Sequence, residues 1–136
     1  MSVALLDSLK LTNSWPTPIV LADGKVLALQ NNAAGSSLQT WEMSATTGRF
    51  SQLGSVQLNW QPSTWRMFDK LLVLQGYERF DLYDVTVPAL PVYKNTGFPP
   101  GSVYPDLVNA DGNLDHGMWM PLGDYGVFHI PTVTGP

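Results

Sequence analysis

Part of this chain is written twice, and that repetition restricts its fold more than any other feature. Lys25-Val26-Leu27-Ala28-Leu29-Gln30 and Lys70-Leu71-Leu72-Val73-Leu74-Gln75 correspond position by position at an offset of 45, the spacing of Lys25 and Lys70. The likeness extends outward. Ser55-Val56-Gln57-Leu58 echoes Ser8-Leu9-Lys10-Leu11, and Leu38-Gln39-Thr40-Trp41-Glu42-Met43 answers the segment from Arg79 to Val85. A third, partial copy runs from Met118 to Phe128 and matches Trp65 to Leu74 with a small change of length. A repeat of this size is one supersecondary unit that buries its apolar face against a neighbouring unit. The sequence therefore predicts a single β domain over residues 1–136, with repeats at about 15–59, 60–103 and 104–136.

The units are predicted to be strands. Apolar runs are short, rich in Val, Leu, Thr, Trp and Tyr, and broken about every 8–12 residues by turn-forming residues, as in antiparallel sheets. Turns or loops are expected at Asp23-Gly24, Asn31 to Gly35, Thr47-Gly48, Gly97 to Gly101 and Asp111-Gly112-Asn113. The one helical candidate is Ser2 to Leu11, where Val3, Leu6 and Leu9 recur at three-residue spacing; Leu5, Leu9 and Leu11 suit a strand, the reading preferred here. The repeat makes Leu27, Leu29, Leu72 and Leu74 equivalent core positions. The predicted class is all-β and antiparallel.

Two segments resemble known repeats. Trp41-Glu42-Met43-Ser44-Ala45-Thr46-Thr47-Gly48-Arg49 is similar to the third strand and turn of a WD-type or quinone-enzyme-type β-propeller blade. Leu82-Tyr83-Asp84-Val85 and the residues up to Val92 resemble the Leu-Val-Ile-Val-Asp class of blade. The resemblance implies propeller-like blade repeats and a binding scaffold rather than a reaction; a β-sandwich or barrel is the alternative architecture. The Gly-His pair that opens a WD repeat is absent. Where the Asp-box of sialidase blades has its aspartate, this chain has Thr46.

Composition narrows the function. Charged residues make up 13% of the 136, with a net charge of −4, and the seven cations are scattered singly. No basic stripe exists to neutralise phosphates, so neither nucleic acid nor an anionic membrane is an expected partner. The absence of cysteine excludes disulfides and thiolate chemistry. The start of the chain lacks a basic n-region, and Asp7 and Lys10 break its apolar run, so synthesis in the cytoplasm without a signal peptide is expected. No nucleophile elbow, P-loop or dinucleotide fingerprint is present. His116 and His129 are too few for a three-histidine metal site. Alternation places His129 on the strand face away from Phe128, as a surface residue. The polar run from Asp106 to Gly117 superficially suggests calcium, but His116 stands at the sixth loop position from Asp111 and Leu122 at the twelfth, where an EF-hand needs Gly and Glu. The chain reads as a protein without catalytic machinery, metal or cofactor.

The functional hint is aromatic. Trp15, Trp60, Trp65, Trp119, Tyr77 and Tyr104, with Phe98, fall near strand ends or loops as well as inside strands. Such rings stack on sugars or anchor protein interfaces. Low charge, no cysteine, β repeats and no catalytic set suit a structural interaction protein that assembles into a larger particle, for example a phage virion component such as a head decoration or tail protein. A carbohydrate-binding propeller lectin, with a glycan as partner, is the alternative. Because Ser8-Leu9-Lys10-Leu11 matches the strand that closes the first full copy, the sequence also predicts a homo-oligomer in which strands of two chains complete one ring. A six-bladed two-fold dimer is the first choice and a trimer the second.

Overall fold

The computed structural model describes residues 16–21, 23–99 and 110–132. They form eleven strands in three antiparallel sheets, and among them the only helical element is one 3₁₀ turn, Gly123–Tyr125. The chain is all-β, as its alternation predicts. The candidate at Ser2 to Leu11, and with it the strand Ser8 to Leu11, lies outside the described residues.

The strands cluster in two compact units. The first holds the described residues up to Gln61 together with Pro88–Leu90. Its sheet is a meander of β1 (Ile19–Val20), β2 (Lys25–Asn32), β3 (Gly35–Met43) and β4 (Phe50–Leu58), paired in that order. Register puts Leu27 opposite Thr40 and Leu29 opposite Leu38, and these residues, with Ser36 and Leu58, form a buried face. The Thr40 hydroxyl donates to the Pro88 carbonyl at 2.6 Å, which satisfies a polar group on that face. Between Thr40 and Trp41 the pairing with β4 shifts, and Leu53 becomes an unpaired extra residue.

The second unit holds Pro62–Val87 and the described residues from Pro91 onward. It opens with another four-stranded meander: β5 (Thr64–Phe68), β6 (Leu71–Gly76), β7 (Arg79–Asp84) and β8 (Val92–Gly97). The parallel with the first sheet is detailed. Two residues connect its central strands, Tyr77-Glu78 here and Ala33-Ala34 there, and the third and fourth strands again meet through a shift, now between Leu82 and Tyr83. Then follow β9 (Asp111–Asn113), β10 (Gly117–Pro121) and β11 (Val127–Ile130), a three-stranded sheet with β10 in the middle.

That third sheet packs face to face on the second. Leu71, Val73, Phe80 and Leu82 from one side meet Met118, Met120, Leu122 and Ile130 from the other, with Phe68 and Phe128 at the margin. Glycine permits a close approach, since a Cβ on Gly97 would collide with the Ile130 side chain. Leu72 and Leu74 are also fully buried, but they point to the opposite face of β6 from Leu71 and Val73. Leu27, Leu29, Leu72 and Leu74 are all 0% exposed.

One expected turn is a strand. Gly112 pairs with Met118 and Asp111 with Trp119. The reversal comes after it, where the Asn113 side chain accepts the His116 backbone N–H at 2.7 Å and Gly117 takes φ 84°. The turn thus follows Asn113 rather than including Asp111 and Gly112, since Asp and Gly are also tolerated in a short edge strand.

Candidate functional site

The outer face of the third sheet, turned away from the shared core, carries the aromatic group with the most defined geometry. Alternation along β10 sends Met118 and Met120 inward and Trp119 outward; along β11 it sends Phe128 and Ile130 inward and His129 outward. Asp111, Trp119 and His129 therefore lie in one cross-strand row. The indole is 46% exposed and stacks on the imidazole, with ring centroids 3.8 Å apart and planes at 16°. His129 is held in turn: its Nε2 lies 2.5 Å from the His116 carbonyl. A carbonyl only accepts, so Nε2 carries the proton. The next pair along the same face is Pro121 opposite Val127, which is 64% exposed, and Tyr125 stands exposed in the connecting 3₁₀ turn. The result is a pre-formed apolar surface edged by the Asp111 carboxylate. Among the described residues no group of three His, Asp or Glu side chains is placed to hold a metal ion.

Of the other aromatic candidates, none that the structure describes in the second unit joins this site. Trp65 is 8% exposed and lies on the face of the second sheet that points away from the third, so both sheets separate it from the outer face at Trp119. Tyr77 is 67% exposed at the tip between β6 and β7, Phe98 is exposed just after β8, and Trp60 is half-buried in the first unit. Trp15 and Tyr104 lie outside the described residues. His129 and Asp111, outside the predicted aromatic set, complete the row at Trp119. Alternation against Phe128 and Ile130 already places His129 on the outward face; what sets it beside Trp119 is the register of β10 and β11, which the sequence does not specify.

A polar cluster sits on the face of β7 turned away from the third sheet, with Leu72 and Leu74 of β6. Asp81 is 2% exposed, receives Arg79 Nε at 3.1 Å and Nη2 at 3.3 Å, and accepts the Thr96 hydroxyl at 2.7 Å. Tyr93 reaches the same Thr96 hydroxyl at 2.6 Å and meets Tyr83 edge-to-face at 5.8 Å. Paired and hydrogen-bonded in this way, a buried carboxylate is a structural element. Burial, followed by the nearby Asp81 charge, pushes the Tyr83 phenol up from 10.0 to about 12. The folded state thus holds this proton more tightly than the unfolded chain. Its contribution to stability is complete below pH 10 and is lost as pH rises to about 12. Denaturant midpoints should fall across that window, and Tyr83→Phe should flatten the fall; an equal slope in both proteins would refute the assignment.

Compared with known proteins, the chain matches no family model, no curated protein and no solved structure.

Proposed function

We propose that this chain is a non-enzymatic interaction module that builds a larger assembly, with a second copy of itself as first partner, through the outer face of the third sheet. The observation that carries this reading is the exposed Trp119, fixed against His129 in the middle of a hydrogen-bonded sheet and continued by Val127 and Tyr125. A large ring held rigid before contact loses little entropy on docking, and Trp and Tyr are the residues most often found at the energetic centre of interfaces. Catalytic groups would need a base in reach of a nucleophile, whereas the imidazole here is committed to stacking and to a backbone carbonyl.

The two four-stranded meanders support the propeller-like part of the reading. Each is paired in chain order, each has a two-residue connection between its central strands, and each shifts register between its third and fourth. A blade repeated in this way is a unit for ring or lattice building. A virion component, such as a head decoration or tail protein, is the particle that suits the weakly charged, cysteine-free surface.

Light scattering tests the assembly. The full chain should be oligomeric at high micromolar concentration, and Trp119→Asp, which puts a charge where an apolar core is required, should shift it to monomer with little change in melting temperature. A wild-type chain that is monomeric at that concentration, or an oligomer indifferent to Trp119→Asp, would sink the proposal.

A further inference from the structure

We propose that the first unit also carries a site for an uncharged polysaccharide, on the face of β2–β4 opposite its buried leucines. The register places Gln30 and Asn32 of β2, Gln39 and Trp41 of β3, and Gln52 and Gln57 of β4 on that one face. Among the described residues of these three strands no charged side chain stands there; Lys25 and Glu42 are in register with each other on the other face, 3.9 Å apart. The amides are ordered. Gln39 donates to Gln30 at 2.7 Å and accepts the Trp41 indole N–H at 3.1 Å, and Asn32 and Gln57 pair reciprocally at 3.1 and 3.3 Å.

This arrangement fits neutral sugar chemistry. Beyond these bonds Asn32 Nδ2 keeps a second N–H and Gln57 Oε1 a second lone pair, and the exposed Gln52 amide adds a donor and an acceptor side by side, a set that matches neighbouring hydroxyls, while an indole offers a flat apolar face to the C–H side of a pyranose ring. Because the amides are held by one another, little side-chain entropy remains to be lost on binding. With no cation on the face, nothing compensates the desolvation of a phosphate, sulfate or carboxylate, so charged glycans are disfavoured. Asn32, Gln52 and Gln57 are exposed, leaving the β4 side open to a chain lying across the strands.

Affinity electrophoresis of the full chain provides the test, with hydroxyethyl cellulose, xyloglucan or galactomannan in the gel, and polygalacturonate and dextran sulfate as the charged comparison. At least one neutral polymer should retard the protein and neither charged one should. Gln52→Glu, an exposed position opposite Trp41, should weaken the retardation about tenfold, the equivalent of one or two lost hydrogen bonds. Tyr77→Ala, at an exposed hairpin tip of the second unit, should leave it unchanged. No retardation by any neutral polymer, equal retardation by the charged ones, or insensitivity to both Gln52→Glu and Gln57→Glu would overturn the proposal. Loss of retardation in Tyr77→Ala would overturn it as well, by moving the binding to the second unit.

Discussion

Phe80→Ala is expected to lower the unfolding free energy by about 3–5 kcal/mol, the range for emptying a buried aromatic position. Phe80 is 0% exposed and stands in the core shared by the second and third sheets, among Leu71, Val73, Leu82, Met118, Met120 and Ile130. Collapse around the vacancy is limited, because its neighbours belong to hydrogen-bonded strands on both sides. Gly97, directly across from Phe80 on β8, has no side chain to fill the space. Urea melts would measure the loss. Tyr77→Ala, at an exposed hairpin tip, serves as the comparison and should change stability by no more than about 0.5 kcal/mol. A Phe80→Ala effect below about 1 kcal/mol would mean that the third sheet does not pack on the second as described.

Gly35→Ala should be nearly as damaging, at about 3 kcal/mol or more, through backbone rather than core effects. Gly35 has φ 138°, a region L-residues rarely adopt, and a Cβ built on it would lie 2.5 Å from both the Leu58 oxygen and the Trp60 nitrogen. Those are main-chain atoms of the last residue of β4 and of the segment just after it, so no side-chain rotation relieves the clash. Gly24 makes the control: its φ of 85° is also positive, but nothing lies within 4 Å of an added Cβ. Gly24→Ala should therefore cost only about 1 kcal/mol of conformational strain. Circular dichroism melts of the pair would show the difference, and equal effects would place the penalty in φ alone.

The two bulges show why register could not be read from the chain. Strict alternation down from Gln57 and Ser55 leads to Leu53 on the polar face of the first sheet; the extra residue at the bulge puts Gln52 there instead, opposite Trp41. On β8 the corresponding irregularity turns Tyr93 toward Tyr83 and Thr96 rather than toward Asn95. Shifting a strand by one residue reverses every side chain beyond the shift. The uncharged face of β2–β4 and the network around Asp81 both depend on such shifts, and neither has a signature in the sequence.

What the sequence by itself determined is the local order of the chain. Period-two alternation and turn residues specify antiparallel strands, because each acts through a few neighbouring residues. The offset between Lys25 and Lys70 marks two sheets of one design for the same reason, as like segments form like hairpins. Tertiary structure alone decided which faces meet. It set the third sheet against the second through Met118, Met120 and Ile130, made Asp111–Asn113 a strand by giving it Trp119 and Met118 as partners, and stacked His129 on Trp119. Each of these joins residues whose proximity comes from sheet pairing and packing. Apolar burial is non-directional, so the composition of a strand demands a partner without naming it.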